Sequence, residues 1–291
     1  MIRFFDGGMG SMLNLAAGEL PEKLNISEPE RVFAVHKGYA DAGAEFITAN
    51  TFGANSLKYD NVDELVKAGV ALAKKAGKYV ALDIGPTGKL LKPMGDLEFE
   101  RAVELFAEVV RAGKDGSDVA IIETMSDMYE LKAAVIAVKE NSDLPIITSM
   151  IFDESGRLLT GGDVKSAVAM LEGLRVDAIG FNCGLGPKQM IPLVNELREC
   201  TSLPILVMPN AGLPESVDGK TVYNVSPDEF AQDMREIAKL GVSILGGCCG
   251  TTPKHIAKMI ELCKDIPDNV PEKKNDTVVC SYSSAVTIGE K

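Results

Sequence analysis

The sequence predicts an α/β fold, a single (β/α)8 TIM-type barrel with a C-terminal linker-like extension, and three observations carry that prediction. Short β-rich runs recur roughly every thirty to forty residues. Helical patterns fill the intervals between them, which is the rhythm of a parallel sheet. The chemically unusual residues stand at the C-terminal ends of the runs, where barrels of this kind build their sites. The eight runs are 3–7, 46–50, 79–85, 119–124, 146–152, 178–183, 205–210 and 243–247. A doubly wound sheet is the alternative, since one strand more or fewer would change the count.

The intervening helices carry their own start and stop signals. Ser27 and Glu30 read as a capping box, followed by an apolar face of Val32, Val35 and Tyr39 and a closing Gly43. The device recurs at Ser226-Pro227-Asp228-Glu229, with Pro227 at the first helical position and Gly241 as the stop. Phe99, Val103, Phe106 and Val110 form a further stripe at helical spacing that ends at Gly113. These residues are expected to pack an outer ring of helices against the barrel. The barrel is assigned to residues 1–265. From residue 266 the pattern gives way to two prolines, a Lys pair and polar residues. Residues 266–291 therefore read as an arm or linker, with the final VTIGEK as a candidate edge strand.

Composition narrows the function. Hydrophobic residues make up 46% and charged residues 25%, an ordinary globular balance. A net charge of -12 repels phosphate backbones, and no basic patch offsets it, so nucleic-acid binding is not expected. No apolar run is long enough to span a bilayer and no secretory leader is evident, so a membrane location is not expected either. The six cysteines, at 183, 200, 248, 249, 263 and 280, do not suit a disulfide framework in a large acidic chain, and the reducing cytoplasm is the expected compartment.

Three of those cysteines carry the chemistry. Cys183 lies in GFNCGLGP, and Cys248 and Cys249 form a vicinal pair in GGCCGTTP. Thiolates at two strand ends, one of them doubled, can supply three legs of a tetrahedron, and the flanking glycines let both neighbouring sulfurs face one point. Catalytic zinc sites keep one position open, whereas structural ones fill all four. A vicinal disulfide that cycles between redox states, or three buried apolar cysteines, are the competing readings. A site of three thiolates polarises carbonyls poorly but suits a fourth thiolate, whose free pKa of about 8.5 coordination would lower. Asp6 and Glu123, on different strand ends, fit recognition of a substrate ammonium group. The amides of Gly7, Gly8, Met9 and Gly10 could receive a carboxylate. Against this, the glycines also suit a plain turn, and Glu123 could pair with a buried lysine.

Taken together, DGGMGS, TANTFGAN, IIETMSD, GFNCGLGP, MPNAGLP and GGCCGTTPKHI resemble the homocysteine S-methyltransferase family over essentially residues 1–264. The resemblance implies a barrel that moves a methyl group onto the sulfur of L-homocysteine, with zinc on Cys183, Cys248 and Cys249. It further implies that Asp6 and Glu123 hold the substrate amino group, with Gly7 and Gly8 beside its carboxylate. Asn210, in MPNAG, is a candidate fourth metal ligand when homocysteine is absent. FNCGLGP and PNAGLP look most like the N-terminal module of cobalamin-dependent methionine synthase. The implied methyl donor is then methylcobalamin, carried on a separate corrinoid-bearing module or protein. S-methylmethionine or a betaine is the alternative donor, and a non-catalytic, zinc-stabilised docking module is the alternative from a different class.

Overall fold

The computed structural model describes residues 1–15, 18–217 and 220–289. Its strands, in chain order, are β1 (Arg3–Phe4), β2 (Phe46–Thr48), β3 (Tyr79–Ile84), β4 (Val119–Met125), β5 (Ile146–Met150), β6 (Ala178–Asn182), β7 (Ile205–Met208), β8 (Glu215–Val217), β9 (Lys220–Val222), β10 (Ile244–Leu245), β11 (Thr277–Cys280) and β12 (Ala285–Ile288). Eight of these form one parallel sheet in the order β1-β10-β7-β6-β5-β4-β3-β2. A parallel bridge between Phe5 and Phe46 joins its two ends and closes the barrel. All eight predicted runs are present; the observed strands start within one residue of the predicted starts, and most end one to three residues earlier than predicted.

Strand and helix alternate as a barrel requires. The main helices are Pro29–Asp41, Val62–Ala76, Phe99–Gly113, Met128–Asn141, Val164–Gly173, Pro187–Cys200, Pro227–Lys239 and Pro253–Cys263. Their apolar faces bury Val32, Tyr39, Leu105, Phe106, Leu131, Leu197, Phe230 and Ile256 against the outside of the sheet. A second, smaller cluster fills the barrel interior with Phe5, Ala81, Val119, Ile121, Ile147, Ala178, Leu206, Met208 and Ile244. Phe46 stacks on Phe5 with ring centroids 4.7 Å apart at the seam. Side chains alternate along a strand. The residue two beyond each interior position therefore shares its face: Asp83 follows Ala81 on β3, and Glu123 follows Ile121 on β4.

Local signals were read correctly at some helix ends and not at others. The capping box at Ser226 is present, with Ser226 Oγ accepting from the Glu229 amide and the Glu229 carboxylate accepting from the Ser226 amide. The box predicted at Ser27 is absent. Ser27 ends a preceding turn, Leu24–Ser27, and its hydroxyl donates to Lys23 O. Pro29 sets the helix start instead, because its fixed φ suits the first helical position. The hairpin of β8 and β9 is an insertion that the sequence reading passed over, although the intervening Asp218-Gly219 dipeptide is a hairpin signal.

Residues beyond the last helix form an arm with structure of its own. β11 and β12 pair as an antiparallel hairpin in which Val279 faces Val286. The predicted edge strand in VTIGEK thus corresponds to β12, while Glu290 and Lys291 lie outside the described residues. The hairpin rests on helix Val164–Gly173, where Lys165 Nζ donates to Thr287 Oγ1 at 3.1 Å. Its turn reaches the loop after β4, where Tyr282 OH donates to Asp127 Oδ2 at 2.8 Å and Tyr282 meets Tyr129 edge-on. Among the described residues, no helix is long and apolar enough to cross a membrane.

Candidate functional site

The C-terminal ends of the strands surround a cavity of about 240 Å³. Asp6, Gly7, Gly8, Asp83, Glu123, Thr124, Cys183, Cys248 and Cys249 all line it, along with Glu22, Thr48 and Asn50. The lining is divided by strand order. Its acids stand on or after β1, β3 and β4, and its sulfurs on or after β6 and β10, in the other half of the ring. No lysine, arginine or histidine is among the described lining residues. The lysine partner considered for Glu123 is therefore not among them.

The three cysteines converge. Their sulfurs all lie within 4.8 Å of one another, and Cys183 Sγ is 3.9 Å from Cys249 Sγ. Three sulfurs on one zinc at a bond length of about 2.3 Å would be about 3.8 Å apart on a tetrahedron. The donor set and its spacing fit that ion, and all three cysteines line the cavity. Without a cation, three close sulfurs cannot all ionise. Hydrogen bonds from the Cys183 and Cys248 thiols favour the Cys249 thiolate and lower its pKa. The Cys248 thiol is held well above its usual range by its contacts with Cys183 and Cys249 and by burial.

Backbone conformation aims these groups. Cys183 has a positive φ of 59° and Thr124 one of 62°, a region that residues other than glycine rarely occupy. Both sit where a strand turns into the mouth, and both are over-determined by neighbours. The Cys183 amide donates to Met208 O at 3.1 Å, and the Thr124 amide donates to Asn182 Oδ1 at 2.8 Å. Asn182 is buried and links the two halves of the site. Its Nδ2 donates to Thr124 Oγ1 at 2.7 Å and reaches Glu123 Oε2 at 3.5 Å and Cys248 Sγ at 3.8 Å. The turn carrying the vicinal pair packs directly on Gly8, where a Cβ would stand 2.6 Å from Cys248 O. Asn210 supports the same turn, its Oδ1 accepting from the Cys249 amide at 3.1 Å.

The acids are held in distinct ways. Both Asp6 oxygens accept from Thr48, Oδ2 from the amide at 2.9 Å and Oδ1 from the hydroxyl at 2.7 Å. Burial nevertheless pushes the Asp6 pKa up to about 7. Burial, followed by the negative charges of Asp6 and Cys249, pushes Glu123 up to about 8. Glu22 accepts from the Gly53 amide and from Tyr59 OH, which fastens the loop after β2 beneath the segment before helix Pro29–Asp41. Gly8 N donates to Thr251 Oγ1 at 3.1 Å, while Met9 and Gly10 open the short helix Met9–Leu13, where first-turn amides lack intrahelical partners. Sequence reasoning gave no role to Asp83, Thr48 or Asn182. Asp83 and Asn182 were visible as polar residues at strand ends, but their partners lie on other strands.

The chain is thus a closed eight-stranded parallel barrel whose mouth brings together three close thiols and several acids. Residues 3–263 match the family model described as homocysteine S-methyltransferase, and the chain belongs to that family. It is 31% identical to a methionine synthase of Mycobacterium leprae over 98% of this chain, and 30% identical to a methionine synthase of Mycobacterium tuberculosis over the same share. It spans about a quarter of the length of those two relatives, 27% and 26%. In fold it resembles the metallated form of the Escherichia coli homocysteine methyltransferase MmuM, with a TM-score of 0.76, 23% identity, and coverage of 89% of this chain and 95% of that one.

Proposed function

We propose that this mouth binds L-homocysteine and accepts a methyl group onto its sulfur to give methionine, with Cys183, Cys248 and Cys249 holding zinc. The observation that carries the reading is the meeting of three mutually close sulfurs with several buried carboxylates in one cavity whose described lining has no basic side chain. A small amino acid with a thiol at one end and an ammonium group at the other complements that division. Zinc, when bound, would supply a Lewis acid that lowers the thiol pKa from about 8.5, so that the thiolate is the form present at neutral pH.

The chain's own residues orient the substrate. Asp6 and Glu123 receive the ammonium group, and the positive charge returns both carboxyls to their ionised form. Gly7 and Gly8, which let this turn pack against Thr251 and the Cys248 carbonyl, lie beside the substrate carboxylate. Asn182 holds Thr124 and Glu123 in register with Cys248, and Asn210 fixes the Cys248-Cys249 turn. Asn210 is the candidate fourth metal ligand in the absence of homocysteine, through the same Oδ1 that accepts from the Cys249 amide. The substrate thiolate attacks the methyl carbon, a sulfur–carbon bond forms, and the bond to the donor breaks with its electron pair leaving on the donor.

The donor assigned here is methylcobalamin presented by a separate corrinoid-bearing module or protein, supported by the FNCGLGP and PNAGLP segments and by the methionine synthase relatives. The test is methionine formation from homocysteine under reducing conditions, with methylcobalamin and S-methylmethionine supplied in parallel. Turnover with methylcobalamin alone is expected. Turnover with S-methylmethionine alone would reassign the donor. A Cys248→Ala variant that is active and metal-free would overturn the metal site, and full protein ligation of zinc in the presence of homocysteine would favour a docking module.

A further inference from the structure

We propose that Asp83 is a third carboxylate contact for the cationic end of the bound amino acid, and that it sets selectivity for thiols carrying an ammonium group. The inference rests on the reading that the mouth takes homocysteine, and it adds a residue to that site.

Position comes first. Asp83 lies on β3, opposite Ile121 of β4 in the register, so Glu123 stands two residues further along the neighbouring strand on the same face. Asp83 is 6% exposed and lines the cavity with Asp6, Glu22 and Glu123. Partnership separates it from the other acids. Asp6 spends both oxygens on Thr48, Glu22 spends both on Gly53 and Tyr59, and Glu123 lies 3.5 Å from Asn182 Nδ2. Asp83 Oδ1 is buried with no hydrogen-bond partner.

A buried carboxyl oxygen left without a donor costs stability, and folded proteins retain few such atoms. Nothing in the packing of β3 requires an acid there, because Ala81 on the same face contributes to an apolar interior. The missing donor is therefore supplied by what enters the cavity. A primary ammonium group brings three N–H donors. Asp6 and Glu123 account for two, and Asp83 offers an acceptor for the third. Burial and the charges of Glu123, Asp6 and Glu22 hold Asp83 well above the usual carboxylate range in the empty pocket, and an arriving cation reverses that balance.

The experiment compares two thiols by titration calorimetry on the zinc-loaded protein. One is homocysteine. The other is 4-mercaptobutanoate, which keeps the thiol and the carboxylate but lacks the ammonium group. Asp83→Asn is expected to weaken homocysteine by roughly 10- to 100-fold, the range of a lost hydrogen bond to a charged group, and to leave 4-mercaptobutanoate within about two-fold. The same substitution is expected to raise the melting temperature of the ligand-free protein, since it removes a buried, unpartnered acid.

Equal weakening of both thiols, no weakening of homocysteine, or a lower melting temperature in the ligand-free Asn variant would each overturn the inference. Wild-type protein that binds both thiols equally would instead remove the amino-acid reading itself. Asp83→Ala provides a second variant with the same expected selectivity.

Discussion

The Asp6 carboxylate stands in for a strand. β1 ends at Phe4, and beyond the Phe5–Phe46 bridge the seam with β2 is continued by Asp6, whose Oδ2 accepts from the Thr48 amide at 2.9 Å. One side chain thus completes the barrel and faces the cavity. Its second oxygen accepts from the Thr48 hydroxyl, a bond that lowers the Asp6 pKa against the larger effect of burial.

Replacing Thr48 with Val keeps the shape and removes only that hydroxyl. A hydrogen bond to a buried acid contributes about 1.5–3 kcal/mol. The denaturation midpoint should fall accordingly, and the pH at which homocysteine binding reaches half its maximum should move upward. Urea unfolding and calorimetry at several pH values measure both. An unchanged binding profile would mean that Asp6 does not meet the ligand.

Asn182→Ala should be more damaging than its size suggests. It strips the Thr124 amide and the Ser149 hydroxyl of the same acceptor. The expected loss is about 1–3 kcal/mol for a buried donor left unsatisfied. Thr124, already at positive φ, should relax and carry Glu123 with it, giving a fall in homocysteine affinity with zinc content retained. Retained affinity together with full stability would remove Asn182 as the link between the acids and the sulfurs.

The raised acids make a prediction about pH. Asp6 and Glu123 have folded pKa values of about 7 and about 8, above their unfolded values of 3.8 and 4.5. Between those limits the folded state binds more protons than the unfolded one, so stability falls as pH rises. The contribution is fully present below the unfolded values, is lost progressively as pH rises from about 4, and is gone above about pH 8. In metal-free, ligand-free protein the melting temperature should therefore decline across that interval, and Glu123→Gln should flatten the decline. Parallel curves for the two proteins would show that Glu123 ionises normally.

Tyr282→Phe addresses the arm. Losing the bond to Asp127 should leave zinc content unchanged, because Asp127 still caps helix Met128–Asn141 through its other oxygen. Cleavage by a protease near residues 277–288 should become faster. Unaltered cleavage would mean that the hairpin is held by its contacts with helix Val164–Gly173 alone.

Much of this molecule was legible before its structure. The eight strands announced themselves because parallel strands buried on both faces read as compact apolar runs. Cys183 and the Cys248-Cys249 pair stood out because cysteines flanked by glycines at strand ends have few structural uses. What was not legible depends on partners far along the chain. Asn182 is informative only once it is seen to touch residues from 124 to 248, and Asp83 only once its oxygen is seen to lack a donor. Ser27 misled because two start signals lay two residues apart, and the fixed ring of Pro29 outweighed a flexible hydroxyl.

The division of the mouth has a stereochemical consequence. The acids stand on or after β1, β3 and β4 and the sulfurs on or after β6 and β10, while the opening amides after β1 lie where the two groups meet, between Asp6 and the Cys248-Cys249 turn. A molecule anchored at all three places has its central carbon pinned in one handedness, since a mirror image can satisfy any two anchors but must turn its third away. If homocysteine is held as proposed, the spacing of the strands would itself select one enantiomer, with no side chain devoted to excluding the other.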